Sequence, residues 1–164
     1  MTAEELQNAL FAAIEPLADG AKVIWMRQDA PRPVHDYVGL HLPRLLRESE
    51  PEERQAEDDG LTVERQRIHY GVMLDIEYFG GNALTKCWAI QRGLYLAITR
   101  QRLGNIALVN TEDPIDTTTL LDQHWEARVR FTAQFRVAVE SQVPLEWIQT
   151  VNLNRAPEMP GATP

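Results

Sequence analysis

Between Arg65 and Tyr78 apolar and polar residues trade places along the chain. Ile68, Tyr70, Val72, Leu74, Ile76 and Tyr78 share one parity, while Arg65, Arg67, His69, Asp75 and Glu77 share the other. Successive side chains of a strand leave opposite faces, so this period of two predicts one long strand with a dry and a wet face. The signature returns near the end of the chain. Ala127, Val129, Phe131, Ala133, Phe135, Val137 and Val139 face one way, and Arg128, Arg130, Thr132, Gln134 and Arg136 the other. If the two strands are neighbours, Asp75 and Glu77 meet Arg128, Arg130 or Arg136 in cross-strand pairs worth roughly 0.2–1 kcal/mol each.

Helical spacing appears twice. Leu6, Ala9, Leu10, Ala13 and Leu17 mark a first helix over residues 3–18, with Thr2 and Glu5 in the positions of a capping box and a stop near Gly20. After "GGN", Asn82 is placed to cap a second helix running to about Leu103. Its stripe is Leu84, Cys87, Trp88, Gln91, Leu94, Tyr95 and Ile98, and it closes at Gly104. Shorter apolar runs read as strands: "KVIWMRQ", "DYVGLHLPRLL", "NIALVN" and a last "EWIQTVNL". Pro43 removes a ladder donor, which predicts an edge or a bend there. "TEDPIDTTTLLDQH" reads as an irregular connection. The expected architecture is α+β: a largely antiparallel, mixed sheet with two helices packed on one face.

Charge enters at Arg47–Gly60, "RESEPEERQAEDDG", where seven carboxylates face two arginines and account for −5 of the chain's −8. Like charges at this density predict a solvated, mobile loop at 47–60 within one domain spanning 1–154, followed by a disordered tail at 155–164. The acidic balance argues against gripping a nucleic-acid backbone, which needs clustered Lys and Arg. No apolar run reaches the ~20 residues of a membrane span. The single Cys87 excludes an internal disulfide and fits a reducing compartment.

Catalytic and cofactor signatures are missing. "FGGN" lacks the spacing and lysine of a phosphate loop, no Gly-x-Ser-x-Gly elbow occurs, and His35, His41, His69 and His124 are dispersed without metal-ligand spacing. Cys87 lies on an apolar helix stripe, where an inert buried thiol is expected. The paired carboxylates Glu52 with Glu53 and Asp58 with Asp59 sit in solvent, without the burial that tunes an acid or base. Trp25 and Trp88 are expected in the core, and Trp125 and Trp147 either there, the favoured reading, or as interface anchors. Neither catalytic residue, metal nor cofactor is expected.

The order of these pieces carries a resemblance. The junction Gln28–Val38, "QDAPRPVHDYV", the strand ending "DIEYFGG", the helix after it and "DTTTLLDQHWEARVRFTAQFRV" together resemble the neck or tail terminator proteins of tailed bacteriophages, from about Ala3 to Asn154. The resemblance implies a structural virion protein rather than an enzyme. Such a protein forms a ring, generally of six copies, on the head-proximal end of the tail tube, stops tube growth and meets the head-completion proteins. Its location is the tail-neck junction, assembly takes place in the host bacterial cytoplasm, and DNA passes through the lumen without specific binding. Its partners are itself, the tube protein and neck proteins. The acidic 47–60 segment departs from what the resemblance carries over.

Under that reading the proline junction is a rigid joint, because Pro31 and Pro33 fix φ and withhold donors, leaving Arg32 to reach a partner; a plain interstrand turn, which needs the same stiffness, is the equal alternative. Glu52, Glu53, Asp58 and Asp59 face the lumen or a basic patch of the tube, and Arg128 and Arg130 are candidate interface residues. Two rivals remain: another head-tail adaptor, or a small ligand-binding or enzymatic α+β domain with His69 and Glu77 or Asp75 converging on the wet face.

Overall fold

The computed structural model describes residues 1–26, 31–58, 61–121 and 124–144. Gln28, Asp29 and Ala30 of the junction, Asp59, Trp147, the expected last strand and the tail lie outside the described residues. Helix α1 spans Ala3–Ile14. Its capping box forms as the sequence predicts, with Glu5 N–H donating to Thr2 Oγ1 at 3.1 Å and Thr2 N–H to Glu5 Oε2 at 2.7 Å. Pro16 then turns the chain through a 3-10 turn, Glu15–Leu17.

Strands β1 (Lys22–Trp25), β2 (Tyr37–Arg47), β3 (Glu52–Asp58) and β4 (Leu61–Phe79) follow. After helices α2 (Ala83–Leu94) and α3 (Ala97–Leu103) come β5 (Ile106–Thr111), β6 (Ile115–Asp116), β7 (Thr119–Leu121), β8 (His124–Glu126) and β9 (Arg128–Pro144). Seven strands make one mixed sheet ordered β1-β2-β4-β9-β5, with β3 also on β4 and β6 also on β9; β7 and β8 form a separate hairpin. The fold class is α+β.

The two long alternating segments are antiparallel neighbours, in register from Val63 opposite Pro144 to Phe79 opposite Arg128. Their dry parity is the core: Val72, Leu74, Ile76, Tyr78, Val129, Phe131, Ala133, Phe135 and Val137 are buried, under Leu6, Leu10 and Ile14 of α1 and Cys87, Ile90 and Leu94 of α2. At ~3.3 Å per residue the 19 residues of β4 extend roughly 60 Å, more than a compact chain of this size is wide. The outer half of β4, from Leu61 to His69, therefore runs past the helices as an arm, flanked by β3 on one side and the end of β9 on the other.

This arm corrects the expected acidic loop. Glu52–Asp58 pairs with Leu61–Arg67 residue for residue, because a strand that already presents an unpaired edge supplies backbone partners whatever the charge of the incoming side chains. Charges alternate across it, Glu52 opposite Arg67 on β4 and Arg67 opposite Glu140 on β9, with Arg67 Nε 3.6 Å from Glu140 Oε1. Pro43 bends β2 as expected, at a register shift between His41 and Arg44. β1 pairs only with Tyr37–Leu40, so Pro43 lies where β2 has lost that neighbour and no donor is missed.

The expected helix from Asn82 to Leu103 is two helices. Leu96 takes an extended conformation between them, and buried Thr99 donates its hydroxyl to the Gly93 carbonyl at 2.8 Å, satisfying an acceptor at the end of α2. Asn82 stands at the N-cap in the left-handed region, φ 56°, and its side chain makes no cap hydrogen bond. Trp88 is 57% exposed rather than core, since α2 buries Ala83, Cys87, Ile90 and Leu94 and turns Trp88 outward beneath the Arg92 guanidinium, 5.9 Å from the ring centroid.

Candidate interaction surfaces

On the wet face the register of β2, β4 and β9 gathers a polar row. Glu77 lies opposite Arg130 and diagonal to Arg128, whose Nε is 3.4 Å from Glu77 Oε1 and donates to the Thr117 carbonyl at 3.2 Å. Arg128 also covers the Phe79 ring at 5.7 Å. Thr117 donates to Glu77 Oε1 at 3.4 Å, and Thr132 to Asp75 Oδ1 at 2.8 Å. Of the arginines expected at an interface, Arg128 is thus engaged within its own chain. Arg130 is exposed on the rim of a cavity of about 180 Å³ shared with His41, Asp75 and Glu77, and its side chain has no hydrogen bond or ion pair among the described residues.

The rival pairing of His69 with Asp75 or Glu77 does not occur. All three belong to β4, and six residues of strand separate His69 from Asp75 by roughly 20 Å. His41 on β2 stands opposite Asp75 instead, Nδ1 to Oδ2 at 3.7 Å, an ion pair only when the imidazole is protonated. Cys87 is buried, and burial together with the Glu77 charge pushes its thiol up to about 12. That removes the thiolate a nucleophile or ligand needs. Among the described residues no cluster of His, Cys, Asp and Glu has metal-binding geometry, and no helix is long and apolar enough to cross a membrane.

Glu52 and Glu53 are exposed on β3, where Glu53 Oε1 accepts from Gln66 Nε2 at 3.4 Å; the Asp58 backbone closes the same strand opposite Leu61. Arg32 is 65% exposed, its guanidinium 4.0 Å from Glu126 Oε2. The proline junction serves the topology, since β1 and β2 are parallel and the chain between Trp25 and Tyr37 must travel back along the strands before it can pair.

Two features left no mark in the motifs of the sequence. One is an apolar patch on the outer sides of α2 and α3, made by Leu84, Trp88, Tyr95, Leu96 and Ile98, all about half exposed. It borders edge strand β5, to which α2 is tied by Gln91 Nε2 donating to Thr111 Oγ1 at 3.2 Å and by the Tyr95–Thr111 hydroxyl pair at 3.0 Å. A weaker signal was there, because apolar residues occupy more of this helix than one buried stripe needs.

The other is a polar pocket where Tyr37, stacked on Phe79 at 4.3 Å, meets Trp125 and Glu126 of β8. Tyr37 Oη and Glu126 Oε2 are both buried without a hydrogen-bond partner among the described residues. Burial and the nearby Glu126 charge raise the Tyr37 hydroxyl above its ordinary range. Trp125, expected in the core with an interface anchor as the alternative, is instead 74% exposed beside it.

Residues 4–158 match a family model described as phage neck terminator protein. No curated protein matches the chain.

Proposed function

The chain belongs to the phage neck terminator family, and on that premise we propose that its copies close into a ring, of six, on the head-proximal end of a phage tail tube. There the ring ends tube polymerisation and presents a different surface to the head-completion proteins. The family match carries this reading, and the family's role is structural. Tube growth continues as long as each ring templates the next, so a terminator must match the tube on one side and offer no tube-like surface on the other.

The sheet favours head-to-tail closure. Among the described residues β1 and β5 are open edges at its opposite flanks, both short, and β5 carries a register shift at Val109 that discourages unlimited pairing. The apolar patch next to β5 supplies the desolvation a lateral contact needs. The acidic segment, with Glu52, Glu53, Asp58 and Asp59, faces the lumen or a basic patch of the tube. In the lumen its charge repels phosphates and lets DNA pass without sticking.

Negative-stain microscopy and sedimentation velocity of the purified protein, alone and with tube protein, test the proposal: closed rings at tube ends and tubes of limited length are expected. A protein that stays monomeric beside uncapped tube ends overturns it. Replacing Glu52, Glu53, Asp58 and Asp59 together with Ser should leave the melting temperature near that of the parent and alter DNA exit or tail length. Unchanged infectivity and tail length would remove the segment's charge from the mechanism.

A further inference from the structure

The pocket beneath Trp125 encloses about 310 Å³ between the Pro33–Tyr37 segment, the Phe79–Gly81 turn and Trp125–Ala127. Tyr37 is 4% exposed, and its Oη and Glu126 Oε2 are the buried side-chain polar atoms that lack a hydrogen-bond partner among the described residues. Buried oxygens in folded chains are almost always paired, so two orphans on one pocket, a carboxylate oxygen that needs a donor and a hydroxyl that can accept or donate, indicate a missing partner. Arg32 does not supply it, because its guanidinium stops 4.0 Å from Glu126. A third oxygen group is held at the rim: Tyr78 Oη donates to Asp36 Oδ2 at 3.3 Å, and Gly80, at φ +128°, leaves the space that a Cβ would take from the Asp36 carboxylate.

These groups select their occupant. Asp36 and Glu126 against Arg32 leave one excess negative charge, which disfavours an anion. An apolar group would leave both oxygens unpaired. A guanidinium donates several hydrogen bonds from one plane and stacks on an indole, which fits Tyr37 Oη, Glu126 Oε2 and the exposed face of Trp125 together.

The pocket lies where β2 begins, beside edge strand β1. α3 packs against β5 at the other edge and carries Arg100 and Arg102, both exposed, with no side-chain hydrogen bond or ion pair among the described residues. A head-to-tail contact brings these two flanks together. We infer that this pocket receives an arginine of a second copy of the chain, Arg100 or Arg102 of its α3. The inference rests on the ring reading and names one lateral contact within it.

The pocket is tested first without assembly. Nα-acetyl-arginine amide titrated into dilute full-length protein should shift the Trp125 indole N–H resonance saturably. Nα-acetyl-lysine amide should act more weakly and the neutral citrulline analogue not at all. Glu126→Gln, with an unchanged melting curve, should abolish the shift. Equal responses to all three probes would mean that solvent fills the pocket, and would overturn the inference.

Assembly is the second arm. Glu126→Gln, and separately Arg100→Gln with Arg102→Gln, should each weaken ring formation at least about tenfold, the loss of one charge-assisted hydrogen bond. Glu126→Arg combined with Arg100→Glu and Arg102→Glu should recover rings that either reversal alone loses. If the parent forms no rings, the ring reading fails while the arginine titration still judges the pocket. If parent and variants form rings equally, the assignment to a second copy is overturned and the ring reading stands. Intact rings that no longer bind tube or neck proteins after Glu126→Gln would overturn it as well, giving the pocket to another protein.

Discussion

Arg128 and Arg130 share a face and lie two residues apart on β9, yet they should respond to charge reversal in opposite ways. In Arg128→Glu the guanidinium that donates to the Thr117 carbonyl and sits 3.4 Å from Glu77 is replaced by a carboxylate facing a carboxylate. Losing a charge-assisted hydrogen bond costs about 1.5–3 kcal/mol. A like-charge pair near 4 Å adds up to ~4 kcal/mol at an effective dielectric of about 20, less what water and side-chain rotation relieve. A net loss of about 3 kcal/mol corresponds to a fall in Tm of roughly 6–12 °C for a chain of this length. Arg130→Glu breaks no side-chain hydrogen bond or ion pair among the described residues and sets an exposed carboxylate opposite Glu77, so folding should lose only about 1 kcal/mol or less while ring formation suffers. Differential scanning calorimetry and sedimentation velocity on both variants separate the effects. Adding Glu77→Gln to Arg128→Glu should recover part of the lost stability, since the repulsion goes with it. Equal melting losses in the two single variants, or an unshifted Tm in Arg128→Glu, would refute the assignment of Arg128 to its own chain.

Two further outcomes follow from the core. Phe135→Ala, at a fully buried position in the middle of β9, should cost about 3–5 kcal/mol, measured by urea unfolding. Cys87 and Tyr78 should make the fold sensitive to alkali, because burial together with the neighbouring carboxylates Glu77 and Asp36 holds both protons up to about 12, against ordinary values of 9.0 and 10.0. Between those limits the folded chain keeps protons the unfolded chain has released, so stability is full below pH 9 and declines as pH rises through the window. Cys87→Ala should flatten the first part of that decline, and native Cys87 should resist alkylation at pH 8 while reacting readily in denaturant.

Most of the sheet was legible because its longest strands are dry on one side. Period two fixes which residues of β4 and β9 share a face, and once they are neighbours the pairing of Glu77 with Arg128 follows. The capping box at Thr2 and the bend at Pro43 were equally local. β3 was not legible, since backbone pairing to an available edge leaves no trace in side-chain polarity and seven carboxylates outweigh it in any composition window. The break at Leu96 depends on Thr99 reaching back to Gly93, a tertiary accommodation inside a continuous helical pattern. The pocket at Tyr37 joins segments nearly ninety residues apart that carry no periodicity at all. His41 meets Asp75 only through the β2–β4 register.

β9 is the last described strand to leave the ribosome, and it lies in the middle of the sheet, between β4 and β5. A nascent chain that has not yet exposed Arg128–Pro144 holds β1, β2, β3 and β4 with a raw edge along β4 and leaves β5 with nothing to pair to. Pairings spanning this much sequence form slowly, and their late arrival leaves the earlier segments dependent on chaperones or dilution. The same ordering acts as a clock, because β5 has no partner and the flank it builds does not exist until Arg128–Pro144 has been made. Ribosome-stalled chains ending before Arg128 should accordingly remain protease-sensitive throughout, and those carrying β9 clear of the exit tunnel should not.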